Sequence, residues 1–274
     1  MLPLIISGAK KAEHLARHEP LVILSRGHSG TRVLTWMCAH LGFHLGTHES
    51  NPTGDADKQF TNRLKKLAAH TYTQTSAAEV RPTDLRSFRS AVWDYHRWLG
   101  APATAWGWKF PETYLMGPLV ALTFPRARYI HLVRDGRDIA FKSHLTDRTD
   151  NPVGHGILSA CQALTLPHHV QAALSWEYQI RQFERFRTAL PGDRMLDLRF
   201  EDLCHEPVRV ADQLCKFLAT PMTPACQSYV EHKVDAGKVA QYRHEAPEQV
   251  HEVEHRIGAT LTRLGYRCRS LPVA

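Results

Sequence analysis

Leu21-Val22-Ile23-Leu24-Ser25 runs straight into Arg26-Gly27-His28-Ser29-Gly30-Thr31-Arg32, and the apolar stretch Val33 to Leu41 follows at once. A short apolar run, a turn with two glycines and an apolar helix predict a strand–loop–helix unit that cradles an anion. Glycines let backbone N–H groups converge on the ligand, and the helix N-terminus adds partial positive charge. Thr31 stands where the helix begins, placed to cap it and to bond an anion oxygen. Arg26, His28 and Arg32 add further donors. Two related patterns do not fit. Counted from Gly27, the Walker loop G-x-x-x-x-G-K-[ST] would need glycine and lysine where Arg32 and Val33 stand, and the hydrolase elbow G-x-S-x-G fails because Gly30 follows Ser29 directly.

The rest of the chain suits such a loop. With 274 residues there is ample chain for one enzyme-sized domain. Lys and Arg exceed Asp and Glu by seven, which favours anionic partners, but the basic residues are scattered, which argues against nucleic acid. Apolar runs fall well short of the ~20 residues of a membrane helix, and Met1 to Ile6 is too short for a signal peptide. The six cysteines include no CxxC pair and are read as reduced thiols of a cytoplasmic protein.

Strands alternate with helices along the chain, the pattern of an α/β fold with a central parallel sheet. Beyond the first unit, helices are expected at 58–70, 84–99, 111–124, 136–145, 168–189, 208–218 and 247–264. Strands are expected at 106–109, 128–133 and 195–198. A single domain, 1–274, is expected, with 1–19 as an N-terminal extension and 147–167 as a mobile insertion. His14 and His18 are read as part of a solvated N-terminal helix.

A second constellation is Val133-Arg134-Asp135-Gly136-Arg137-Asp138-Ile139-Ala140-Phe141-Lys142-Ser143. Arg134 falls at the carboxyl end of its strand, the edge of a doubly wound sheet where ligands bind. A guanidinium beside a hydroxyl suits bidentate recognition of a phosphate. A salt-bridged helix start, with Arg134, Asp135, Arg137 and Asp138 paired among themselves, is the competing reading of this segment.

Together the two segments resemble the PAPS-dependent sulfotransferases, which use 3′-phosphoadenosine 5′-phosphosulfate as sulfuryl donor. Gly27-His28-Ser29-Gly30-Thr31 is similar to the family's 5′-phosphosulfate loop, and Arg134 to Ser143 to its 3′-phosphate segment. Trp106-Gly107-Trp108-Lys109-Phe110-Pro111 resembles the W-G-W-K-x-P of bacterial members. Arg199-Phe200-Glu201-Asp202-Leu203 resembles R-Y-E-D-L, followed by Cys215-Lys216-Phe217-Leu218. Lys238-Val239-Ala240-Gln241-Tyr242-Arg243 resembles the late segment that closes over the nucleotide. The resemblance implies a three-layer, P-loop-like sulfotransferase fold. PAPS would be held by Arg26, Gly27, His28, Ser29, Gly30, Thr31, Arg32, Arg134, Lys142, Ser143, Lys238 and Arg243, without a metal.

Departures from the family shape the expected chemistry. His28 replaces the usual Lys or Arg, so its contact to the bridging oxygen would depend on pH. Lys142 occupies the usual serine position, with Ser143 one residue late. The catalytic histidine of the cytosolic branch is absent, its K-x-H being Lys109-Phe110-Pro111. Thr31-Arg32 is similar to the glycan 3-O-sulfotransferases, whose base is a glutamate about twenty residues on, which points to Glu49. His48, Asp55, His44 and Glu112 are alternatives. Sulfuryl transfer should resemble loose in-line phosphoryl transfer, in which positioning and charge stabilisation dominate. Glu49 is assigned as base, and His28, Lys109 and the loop amides act on the donor.

The acceptor is expected to be a hydroxyl-bearing (less readily an amine-bearing) small molecule, lipid or glycan. Its walls are expected at 44–57, 72–104 and 147–167. The alternatives are a P-loop kinase and a nucleotide-binding protein without catalysis. A more distant one is a zinc hydrolase, because His251-Glu252-Val253-Glu254-His255 spells H-E-x-x-H. Eighteen histidines make chance matches common, and no His, Asp or Glu follows His255 to complete the site.

Overall fold

In a computed structural model, which describes residues 8–47, 51, 53–100 and 105–268, the first strand carries apolar residues on both faces. Leu21 and Ile23 of β1 (Leu21–Leu24) pack into one core cluster, Val22 and Leu24 into another. Side chains alternate across a strand, so a strand apolar at every position belongs between two layers. All four β1 residues are buried. One layer contains helices Thr31–His40, Pro207–Leu218 and Pro224–Lys233, and the other Lys58–Thr71, Pro82–Leu99, His168–Arg187 and Pro247–Arg263.

The sheet has four parallel strands in the order β2-β1-β3-β4, where β2 is Gly107–Lys109, β3 Arg128–Val133 and β4 Met195–Arg199. The chain steps from β1 to one side and then crosses back to lay β3 on the other. The topological switch point therefore lies between β1 and β3, where the loops leaving their carboxyl ends diverge and open a crevice. Ser25 fixes this opening by donating its hydroxyl to the Leu132 carbonyl at 2.6 Å.

Four stretches differ from expectation. The 147–167 segment is not an irregular insertion: Pro152–Ala160 is a helix with Asn151 as N-cap, and Val153, Ile157 and Leu158 are buried. Pro118 divides the expected 111–124 helix into a short 3-10 turn, Pro111–Leu115, and the helix Gly117–Thr123, which starts at the proline. The helix after β3 ends at Ala140, and Lys142 to His144 turn back toward the loop after β1. The N-terminal helix Gly8–Ala16 is also not simply solvated. His18, just beyond it, is buried, and its ring lies 4.6 Å from that of His96, centroid to centroid. All six cysteines are unpaired, and among the described residues no helix is long and apolar enough to cross a membrane.

Candidate functional site

Two backbone features shape the loop after β1. His28 and Gly30 both have positive φ (68° and 89°), so the chain winds tightly before helix Thr31–His40. A Cβ on Gly30 would lie 2.2 Å from the Phe200 ring, and one on Gly27 would lie 2.4 Å from the His144 ring. Two aromatic rings thus rest directly on the loop backbone, where only glycine leaves room.

The loop opens on a cleft of about 690 Å³ at the switch point. Gly27, His28, Gly30, Thr31 and Arg32 line it from β1, Lys109 from β2, Arg134 and Lys142 from beyond β3, and Lys238 from the late segment. With Lys233, six Lys and Arg side chains therefore converge on one cavity of nucleotide-accommodating size. Other expected site residues face elsewhere. Arg26 is buried, ion-paired with Asp147 and bonded to the Gly27 carbonyl, so its charge supports the loop from behind. Ser29 is buried, and Ser143 uses its carbonyl to accept from His28 Nε2 at 2.8 Å. Neither lines the cleft, and neither does the exposed Arg243.

Arg134 is the centre of the β3 side. It donates to Asp138 Oδ2 (2.9 Å), to the His28 carbonyl (3.1 Å) and to the Lys238 carbonyl (2.7 Å), and its guanidinium lies over the Phe200 ring at 4.3 Å. Asp138 also accepts from the backbone N–H groups of Ala240 and Tyr242, at 3.1 and 3.0 Å. One buried ion pair thereby joins the first loop, the strand after it and the 238–242 segment. The salt-bridged reading of the second motif holds for both arginines: Arg134 pairs with Asp138, and Arg137 is buried between Asp135 and Glu254 with its guanidinium over Tyr242. Phe200 explains the R-Y-E-D-L-like stretch: its ring backs both Gly30 and Arg134. Its neighbour Glu201 accepts from the Asp135 N–H and the Tyr266 hydroxyl.

The β2 side is built differently. Lys109, 3% exposed, donates to the Thr53 carbonyl at 2.7 Å and is ion-paired with Asp55. Burial lowers its pKa, an effect that Asp55 opposes. Glu112, 2% exposed, has both carboxylate oxygens buried without a hydrogen-bond partner among the described residues. Burial pushes its carboxyl up to about 7. His144 Nε2 stands 3.4 Å from Glu112 Oε1, yet burial and then the charges of Arg26 and His28 hold its ring well below the usual imidazole range. That contact is therefore between a neutral ring and a carboxyl group poised to titrate, not an ion pair.

Glu49 and His48 lie outside the described residues. Asp55 lines the cleft, whereas His44 bridges to Trp106 near the amino end of β2, away from Lys109. Sequence reasoning missed His144, because nothing in its neighbourhood marks it, and underrated Glu112, whose character comes from burial. His251 and His255 are exposed on helix Pro247–Arg263, and Glu252 bonds His169 at 2.8 Å. Among the described residues, the one trio of His, Cys or carboxylate groups close enough to share an ion is elsewhere.

A sequence model of the sulfotransferase family matches residues 20–224. The sulfotransferase domain of the curacin biosynthetic pathway superposes with a TM-score of 0.54 at 16% identity, covering 91% of this chain and 98% of that one. The corresponding domain of the Synechococcus PCC 7002 olefin synthase gives 0.52 at 16% identity over 88% and 96% of the two chains. Sulfotransferase STF9 from Mycobacterium avium gives 0.51 at 15% identity over 95% and 80%. These likenesses concern the fold. A search of curated protein sequences gives no match.

Proposed function

Because the chain belongs to the sulfotransferase family, we propose that it transfers the sulfuryl group of PAPS to a hydroxyl of a small-molecule, lipid or glycan acceptor. The observation that carries this reading is the convergence of Arg32, Lys109, Arg134, Lys142 and Lys238 on one cleft at the switch point, beside a glycine loop that opens a helix. The loop amides and Lys109 would hold the phosphosulfate. Arg134, Lys142 and Lys238 would hold the 3′-phosphate.

In the reaction the acceptor oxygen bonds to sulfur as the sulfur–oxygen bond to the 5′-phosphate breaks, with PAP as leaving group. A base removes the acceptor proton. Lys109 is buried and charged, so its field at the bridging oxygen is little screened, and charge building there is stabilised in place. Glu49 is the base that the sequence suggests first, and among its alternatives Glu112 is favoured by its burial and raised carboxyl pKa. Residue 49 lies two positions before the Asn51–Asp55 turn, where the Asn51 side chain donates to the Asp55 carbonyl and Lys109 bonds Thr53 and Asp55.

Calorimetry with PAP against ATP plus Mg²⁺ tests the donor. PAP should bind tightly without metal, and Arg134→Ala should weaken it by about 2–3 kcal/mol, the loss of a charge-assisted contact and of the links to 28 and 238. Tighter binding of ATP with Mg²⁺ would favour a kinase. PAP binding with no transfer across a broad acceptor screen would favour a binding protein.

A further inference from the structure

At the amino ends of the strands, on the opposite side of the sheet from the cleft, three histidines meet. His14 lies on helix Gly8–Ala16, His18 in the turn after it, and His96 on helix Pro82–Leu99. One ring nitrogen from each lies within 4.8 Å of the other two, and His14 Nε2 and His18 Nε2 are 3.1 Å apart. Trp106, at the start of β2, has its ring 4.5 Å from that of His96 and 5.8 Å from that of His18.

We propose that His14, His18 and His96 form a zinc site that ties helix Gly8–Ala16 to helix Pro82–Leu99. Two observations favour this. First, zinc bonds imidazole nitrogen at about 2.0–2.1 Å, so two ligands of a tetrahedral ion stand roughly 3.3 Å apart. The His14–His18 separation is already close to that edge. Second, His96 Nε2 is buried with no hydrogen-bond partner among the described residues, an arrangement that polar atoms seldom keep.

Three neutral imidazoles with a fourth position open is a known zinc donor set, and it requires no carboxylate. The present N–H···N bond between His14 and His18 gives way when both Nε2 lone pairs turn to the metal, and the proton moves to the other nitrogen of its ring. His96 must approach by up to about 1.5 Å, from the 4.8 Å limit to the tetrahedral edge. Bound ion would lock the N-terminal helix to the sheet's amino edge, a structural role independent of sulfuryl transfer. The alternative, a cluster of neutral rings packed by tryptophans, predicts no specific metal affinity.

The test uses the full chain without an affinity tag, stripped with chelator and titrated with zinc alone and then with cobalt(II). One equivalent should bind, the cobalt form should show the intense visible absorption of a tetrahedral ion, and zinc should raise the melting temperature. His14→Gln changes an exposed residue and leaves the core intact, and it should weaken zinc at least about tenfold, as should His96→Gln. His251→Gln should change nothing. Equal affinity in wild type, His14→Gln and His96→Gln, or loss of binding only in His251→Gln, would overturn the assignment.

Discussion

The two walls of the cleft are built on opposite principles. On the β3 wall the central ion pair is fully partnered: Arg134 is shared among Asp138 and two carbonyls, and Asp138 among Arg134 and two amides. On the β2 wall charge is present but unsettled. Lys109 is buried on a single carboxylate and a carbonyl, and Glu112 is buried with no hydrogen-bond partner among the described residues. A satisfied network is rigid and suits recognition of a fixed group such as a nucleotide phosphate. Buried groups held away from their ordinary pKa suit proton transfer and the stabilisation of charge that appears only during reaction. Under the proposed function, the contrast would give the 3′-phosphate to the β3 wall and the chemistry to the β2 wall.

The hardest blow to that division should come from Lys109→Ala. If Lys109 acts on the bridging oxygen in the transition state, turnover at saturating donor should fall about 10²–10³-fold. PAP affinity should fall far less, because uniform binding is supplied by the other wall. Single-turnover rates and PAP calorimetry on the same variant separate the two quantities. An equal loss in both would mean that Lys109 is another phosphate clamp, and the distinction between the walls would collapse.

Glu112→Gln sharpens the comparison further. With its carboxyl at about 7, a Glu112 base must lose its proton to work, so the rate should climb as pH rises through about 7. An ordinary carboxylate base would instead place that limb near 4. Gln should erase the limb and cut turnover about a hundredfold. The sign for stability is reversed. A carboxyl whose folded pKa is raised favours the folded state while protonated and costs stability once ionised. Glu112→Gln should therefore melt higher than wild type at pH 8 and nearly the same at pH 5. Retained turnover with an unmoved limb, set against loss in Glu49→Gln, would return the base to Glu49.

How far these walls can be read in the sequence follows the same divide. The β3 wall is local: Arg134 and Asp138 are four residues apart, and the 26–32 loop is one run between a strand and a helix, so type and spacing carry the signal. The whole sheet was legible for the same reason, since apolar strands between helices permit few arrangements. The β2 wall is assembled from afar. Asp55 is 54 residues from Lys109, and His144 reaches Glu112 from beyond β3. What makes Glu112 unusual is burial without a hydrogen-bond partner among the described residues, which no motif encodes. Arg26 failed in the opposite way: a basic residue beside an anion loop invites a ligand role, but its partner Asp147 is 121 positions on. The 147–167 stretch was misjudged because its prolines and glycines outweighed the Val153, Ile157 and Leu158 spacing that buries helix Pro152–Ala160.

His28 stands where the walls meet, and the smallest effect is expected there. Its Nε2 must carry a proton to donate to the Ser143 carbonyl, which leaves Nδ1 as a lone pair while the ring is neutral and as a second donor once it is charged. Burial lowers its pKa below the usual 6.5, although the Ser143 bond opposes this. At neutral pH the loop therefore lacks a permanent cation at this position. Acidification below 6.5 should charge the ring and tighten PAP. The gain should be only about two- to fivefold, since an exposed ion pair is worth roughly 0.2–1 kcal/mol. The phosphates of PAP also take up protons near pH 6, so the comparison must be made against His28→Gln, in which only the ligand titrates. The ratio of wild-type to His28→Gln affinity should grow as pH falls, while His28→Lys should bind most tightly at pH 7.5. A ratio constant between pH 5.5 and 7.5 would show that His28 serves the loop only through its bond to Ser143, and would hand the bridging oxygen wholly to Lys109.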